Sequence, residues 1–308
     1  MSTSGHETGH AAGPTDRIDR TSWIDLIGAR RAVDGSWRLG ETEPGPHGSV
    51  QRPLHLRSFG TDVTAVLLTP DATSPSAVVV VPFYDTDTLL GRPSPLYPAG
   101  RPGPGRDYAL RLAARGLGVL AVPWWAELLA EREGPTELSA RYGPPAAAHA
   151  AQHPGVTGLG RSVADLLLAI DALTETPGVD ADRIGTFGHS LGGKHALFLA
   201  ALDPRIRAAV VHEPGVGFAH SNWQDPWYLG DQVPRHRDLD ELTGLISPRP
   251  ILYAGGGASD GSHNADIAQR AQQHWPDSGF DVLMHNTGHP LPDHVFAACA
   301  SWLTDHLN

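Results

Sequence analysis

The stretch DRIGTFGHSLGGKHAL, residues 182–197, decides the fold. Asp182 to Ser190 reads as a strand entering a turn, and Lys194 to Leu202 as the helix that leaves it. Between them Gly188-His189-Ser190-Leu191-Gly192 has the form G-x-S-x-G. The flanking glycines permit a turn too sharp for larger side chains, and the turn lifts the serine hydroxyl clear at the helix N-terminus. The helix start also points backbone N–H groups at a developing oxyanion, so the Leu191 amide is the first candidate donor. A Gly/Ser-rich turn without chemistry is the bland alternative; the strand–turn–helix context argues against it. Gly188 to Lys194 also spells G-x-x-x-x-G-K, the start of a phosphate loop. His195, however, stands where Ser or Thr would ligate magnesium, and the motif follows several strands. A nucleotide site is set aside.

Working outward, SAVVVVP at 76–82 is a β-branched run of the kind buried on both faces of a sheet. Strands follow at 116–123, 207–213, 248–256 and 280–286, and helices are expected over 106–115, 160–176, 265–275 and 293–306. Upstream, Thr21 to Ala32 reads as a helix, and 53–58 with 62–68 as a hairpin around Phe59-Gly60-Thr61. Residues 1–20 lack periodicity and are expected to be a disordered tail. Repeated strand–helix alternation predicts a doubly wound, mostly parallel sheet with a leading antiparallel hairpin. Two connections, about 124–156 and 214–247, exceed ordinary loop lengths and are expected to be lid-like insertions in a single domain over 21–308.

From Ser76 to Leu307 the chain resembles the α/β-hydrolase superfamily, nearest to its dienelactone-hydrolase-like and acetyl-xylan-esterase-like branch. The resemblance rests on YALRLAARGLGVLAVP, VDADRIGTFGHSLGGKHAL, DPRIRAAVVHEPG, LISPRPILYAGG and TGHPLPDHV. It implies the α/β-hydrolase fold and a nucleophile–acid–histidine order along the chain. Ser190 is then the nucleophile. His289, in a Gly-His-Pro turn after the last strand, is the base. Asp260, after the penultimate strand, is the first candidate for the acid, and Glu213, ending the preceding strand, is the second. GHSLGGK with an acid 23 positions after Ser190 also resembles the glucuronoyl esterases, which keeps Glu213 in play. Two departures stand out: Leu191 replaces the arginine common in that group, and PFYDTD replaces the His-Gly loop of many relatives. Phe83 or Tyr84 in that loop is the second candidate oxyanion donor.

Lys194 is the sole lysine beside 22 arginines. Four residues beyond Ser190, it stands one helical turn from the elbow, where it would meet a polar group on the substrate or pair with a carboxylate such as Glu213. In glucuronoyl esterases a lysine at this position contacts the sugar. Trp124, Trp125, Trp223 and Trp227 follow strand ends beside the expected pocket, and either line it or pack the lid. His149 and His153 have i,i+4 spacing but no carboxylate partner, so no metal site is assigned. Cys299, the single cysteine, excludes an internal disulfide and reads as a buried apolar residue.

Lys+Arg 23 against Asp+Glu 34 gives a net charge of −11, contrary to the basic footprint of a nucleic-acid binder. No apolar run is long enough to span a membrane, and the opening lacks the apolar segment of a secretory signal, so a cytoplasmic location is expected. The expectation is a serine esterase acting without cofactor or metal on a small-molecule ester, as monomer or homodimer. An acyltransferase or lyase on the same triad, and a non-catalytic receptor, are the alternatives.

Overall fold

The computed structural model describes residues 19–72, 74–97 and 105–308. The tail expected over 1–20 lies outside these residues except for Asp19 and Arg20. The first helix, α1 (Arg20–Ile27), is capped by the Asp19 carboxylate on the Ser22 amide. It was expected to reach Ala32, but Gly28 takes the left-handed conformation at φ 69° and ends it. A meander follows, β1 (Ser36–Leu39), β2 (Glu43–Pro44), β3 (Ser49–Ser58) and β4 (Thr61–Pro70). Phe59 and Gly60 have φ of 48° and 72°. Positive φ at both central residues gives a two-residue turn whose twist matches its flanking strands.

The remaining elements alternate. They are β5 (Ser76–Phe83), α2 (Thr86–Leu89), α3 (Tyr108–Ala113), β6 (Gly118–Pro123), α4 (Trp125–Leu129), α5 (Leu138–Gln152) and α6 (Gly158–Thr174). Then come β7 (Val179–His189), α7 (Leu191–Leu202), β8 (Ile206–His212) and α8 (Leu239–Gly244). The chain closes with β9 (Ile251–Gly255), α9 (Ala265–Gln272), β10 (Phe280–Met284) and α10 (Asp293–Leu307). The sheet order is β1-β3-β4-β6-β5-β7-β8-β9-β10, with β2 beside β3. From β6 to β10 every pairing is parallel, and the leading strands are antiparallel.

The valines of β5 show why this strand is central. Val78 and Val80 enter the core shared with α6 and α7, while Val79 and Val81 enter the core shared with α3 and α10. Two apolar faces require two helical layers. Among the described residues no helix is long and apolar enough to cross a membrane.

The first insertion is more ordered than its composition implies. Gly143-Pro144-Pro145 reads as a breaker, yet α5 runs through it. Its preceding turn is anchored from below. Arg141 donates to both oxygens of buried Glu127 on α4, and the Tyr142 hydroxyl donates to the same carboxylate at 2.8 Å. The second insertion carries α8 and an irregular segment packed around Trp223, which is fully buried. Helix α7 starts at Leu191, three residues before the expected Lys194, because Gly192 and Gly193 belong to its first turn.

Candidate active site

The elbow is built by close approach. A Cβ on Gly188 would lie 1.9 Å from the Gly192 carbonyl oxygen, and one on Gly192 would lie 2.3 Å from the Pro82 oxygen. No side chain fits at either position. Ser190 itself has φ 58° and ψ −120°, a strained backbone that turns its hydroxyl outward from the end of β7. Lys194 N–H makes the bond to the Ser190 carbonyl, so the Leu191 amide has no carbonyl one turn back to serve.

The structure brings Ser190, His289 and Glu213 into line. His289 Nε2 is 2.8 Å from Ser190 Oγ, and His289 Nδ1 is 3.1 Å from Glu213 Oε2. Glu213 sits at the end of β8 with φ 51° and is buried. Its carboxylate accepts the amides of Gly256 and Ser259, and Asp260 N lies at 3.4 Å. Burial by itself would raise the Glu213 pKa. The His289 hydrogen bond and the Ser259 and Gly256 amides outweigh burial and hold it at about 2.

Asp260, the first candidate for the acid, is elsewhere. Its carboxylate accepts the amides of Gly215 at 2.6 Å and Val216 at 2.7 Å, and the Asn264 amide at 2.9 Å. The turn closed by Gly257 N–H on the Asp260 carbonyl sends the backbone of Ser259 and Asp260 to Glu213 and the Asp260 side chain the other way. Burial raises the Asp260 pKa, against the hydrogen bonds it accepts. Asp260 therefore secures the start of the second insertion, and the place beside His289 belongs to Glu213.

A cavity of about 350 Å³ opens over this line. Tyr84, Trp124, Tyr142, Trp227 and Tyr228 form its aromatic side, and Lys194, Ser221, Asn222 and Ser259 its polar side. Leu191 and Tyr84 lie in the wall, whereas Phe83 is buried against Tyr108 with ring centroids 6.0 Å apart. Two of the four tryptophans do not reach the cavity. Trp125 is turned away, its Nε1–H donating to Ser162 Oγ and the Gly158 carbonyl. Trp223 lies beneath the wall, its Nε1–H on the Gly215 carbonyl. Tyr142 and Ser259, which sequence reading passed over, do line it. Tyr142 sits in the Pro-rich segment read as a loop, and Ser259 was overshadowed by Asp260.

Lys194 faces the cavity and makes no ion pair within 4.0 Å among the described residues. Its ammonium donates to the Pro214 carbonyl at 2.8 Å and to Ser221 Oγ at 2.9 Å, and lies 3.7 Å from the centroid of the Trp223 ring. The expected alternative, a pair with Glu213, is not formed. Burial lowers the Lys194 pKa to about 7, only partly opposed by the charges of Asp260 and Asp225. Among the described residues no group of His, Cys, Asp or Glu side chains could hold a metal ion. His149 packs at a tilt against Trp125, ring centroids 5.1 Å apart, with Arg161 Nη1 3.4 Å from its Nδ1.

No family model matches the chain. YtaP of Bacillus subtilis (strain 168), described as a hydrolase, is 30% identical over 155 residues, covering 47% of this chain and 48% of that protein. The 4-O-methyl-glucuronoyl methylesterase 1 of Sodiomyces alcalophilus is 33% identical over 111 residues, 27% of this chain and 22% of its own. The chain thus spans about half or less of the curated relatives it matches. Among solved structures, a glucuronoyl esterase from Solibacter usitatus superposes with a TM-score of 0.70 at 16% identity, covering 95% of both chains. A mostly parallel sheet flanked by two helical layers, a strained serine on the elbow after β7 and this superposition together show that the chain has the α/β-hydrolase fold.

Proposed function

We propose that this protein is a serine hydrolase of carboxylic esters, and the observation that carries the reading is the continuous line Ser190 Oγ–His289–Glu213 at the floor of an open cavity. His289 Nε2 takes the proton of Ser190 Oγ as the oxygen attacks the ester carbonyl. Glu213 stays ionised and holds Nδ1–H, so that Nε2 is the free acceptor. The Leu191 and Tyr84 amides stabilise the tetrahedral oxyanion. His289 then protonates the leaving alcohol, the acyl group remains on Ser190, and a water deprotonated by His289 releases the acid. The names of the relatives and the cavity wall support an ester with a hydroxylated, sugar-like group. Its ring would lie on the aromatic side, with hydroxyls toward Lys194, Ser221 and Asn222. Leu191 in place of the arginine of glucuronoyl esterases leaves the oxyanion to backbone donors.

The test is hydrolysis of a short-chain p-nitrophenyl ester by wild type and Ser190→Ala. Measurable turnover in wild type with a loss of ~10³-fold or more in the variant is expected. Equal rates in the two proteins would remove the reading.

A further inference from the structure

Each residue of the Ser190–His289–Glu213 line has a second histidine close behind it. His189 immediately precedes Ser190, His212 immediately precedes Glu213, and His285 stands four residues before His289. The His212 ring touches both of the others. His189 Nδ1 is 2.7 Å from His212 Nδ1, and His212 Nε2 is 2.8 Å from His285 Nε2. The chain ends at Thr287 Oγ1, 2.7 Å from His285 Nδ1. His189 and His212 are buried, and His285 is partly exposed.

An imidazole pair shares one proton, one nitrogen donating and the other accepting. Neutral rings in this chain therefore have two proton arrangements. In one, His189 donates to His212, His212 to His285, and His285 to Thr287. In the other every donor and acceptor is reversed, beginning from the Thr287 hydroxyl. Both satisfy every nitrogen between the rings, and neither leaves a buried charge. Burial lowers the pKa of all three rings, in keeping with neutral members. An apolar side chain at His212 would leave nitrogens of both neighbours unpaired.

The backbone shows what the chain spans. Ser190 N–H donates to the His212 carbonyl at 2.9 Å, tying the ends of β7 and β8. His285 N–H donates to the Gly255 carbonyl at 2.8 Å, tying β10 to β9. Main-chain bonds join neighbouring strands only, whereas His289 must reach across from the β10 side to Ser190 on β7. The imidazoles run parallel to that reach, with the His189 and His289 rings 5.0 Å apart.

We propose that His189, His212 and His285 are positioning residues, a hydrogen-bonded imidazole chain under the active site that fixes the spacing of the strand ends bearing Ser190, Glu213 and His289. The inference rests on the triad of the proposed esterase. It adds residues that touch neither substrate nor the reacting atoms.

His285 offers the cleanest test, because it lies partly exposed outside the buried pair. His285→Asn keeps a polar atom at the Nδ1 position, toward Thr287, and loses the reach to His212. His285→Gln places its amide at the Nε2 position and keeps that reach. The readout is the rate at which a fluorophosphonate labels Ser190, resolved into a maximal rate and a half-saturating concentration. Labelling needs the activated serine but no particular ester. We expect His285→Asn to lower the maximal rate about tenfold, with half-saturation and melting temperature unchanged, and His285→Gln to restore it to within about threefold. A tenfold loss shared equally by both variants, or none in His285→Asn, overturns the proposal. Wild type that labels at Ser190 but hydrolyses no ester would instead count against the esterase reading. As a readout independent of catalysis, imidazole N–H protons of the wild type are expected at low field in the proton NMR spectrum and lost in His212→Leu. Their absence from folded wild type also overturns it.

Discussion

Glu213 and Asp260 are both buried carboxylates, and their hydrogen bonds separate their roles. Glu213→Gln is expected to lower kcat by ~10³-fold at little change in KM, because an amide cannot hold the imidazole with Nε2 free. Asp260→Asn is expected to cost about 1–3 kcal/mol of stability, since its new N–H₂ faces backbone donors, and to leave kcat within about tenfold. Urea unfolding alongside ester kinetics distinguishes the two; the reverse pattern would return the acid to Asp260. Glu213 also ties stability to pH. Its folded pKa of about 2 is depressed below the unfolded glutamate value of about 4.3, so its contribution is present above that value and lost as pH falls through about 2. Glu213→Gln should flatten that acid limb.

Lys194 gives a linkage of the opposite form. Its folded pKa of about 7 lies below the unfolded value of about 10.4, so over that window the unfolded chain binds more protons and stability rises with pH. The cost of burying the ammonium is present in full below about pH 7. Lys194→Met should remove this rise, read as the difference in urea midpoint between wild type and variant at pH 7 and pH 10. The same variant should raise KM for a sugar-bearing ester far more than for p-nitrophenyl acetate. Unchanged KM ratios would leave substrate choice to the aromatic wall.

Among the elements, the elbow leaves no room for a side chain at its glycines. The Pro82 carbonyl of β5 approaches the first turn of α7 at Gly192, and the His212 carbonyl of β8 approaches it at Gly193, where a Cβ would lie 2.7 Å away. Both obstacles are backbone, which cannot rotate aside. Gly192→Ala is expected to cost about 3 kcal/mol, and to abolish ester turnover even in the folded fraction because β5 leads directly into Tyr84, whose amide is the proposed second oxyanion donor. Near-native turnover and melting temperature in that variant would show that β5 and α7 can separate without moving the site. The α4–α5 pair is held differently, by one buried carboxylate. Glu127 accepts from Arg141 and Tyr142, and Tyr142 in turn lines the cavity. This polar clamp lets a segment with two interior prolines form a wall of the site.

For the whole molecule, one sheet separates two apolar cores. Trp23 of α1 lies in the first beside Phe198, and Phe296 of α10 lies in the second, stacked on Tyr108. Trp23→Ala and Phe296→Ala should each cost about 3–5 kcal/mol, and the double variant should show their sum, because the sites share no partner across the sheet. Coincident fluorescence and far-ultraviolet transitions in denaturant would show the two cores melting as one unit. Separate transitions would show that they melt independently.

The sequence by itself determined the sheet, the elbow and two members of the triad line, because each is a local pattern. Valines at 78–81 need apolar contacts on both faces, and glycines 188, 192 and 193 mark where backbone meets backbone. His289 could be placed because it follows the last strand of a parallel sheet. Only the tertiary structure set Glu213, and not Asp260, beside His289. Both lie at strand ends within reach of the same loop, and the choice turns on the direction of one tight turn at 257–260. It also decided which tryptophans meet the cavity, since Trp124 and Trp125 are neighbours in sequence and both donate to Ser162 Oγ, yet only Trp124 reaches the cavity wall. The histidine chain was invisible for the same reason. His189, His212 and His285 are remote along the sequence, and only the parallel register of β7 and β8, with β10 folded back beyond β9, sets their nitrogens within hydrogen-bonding distance.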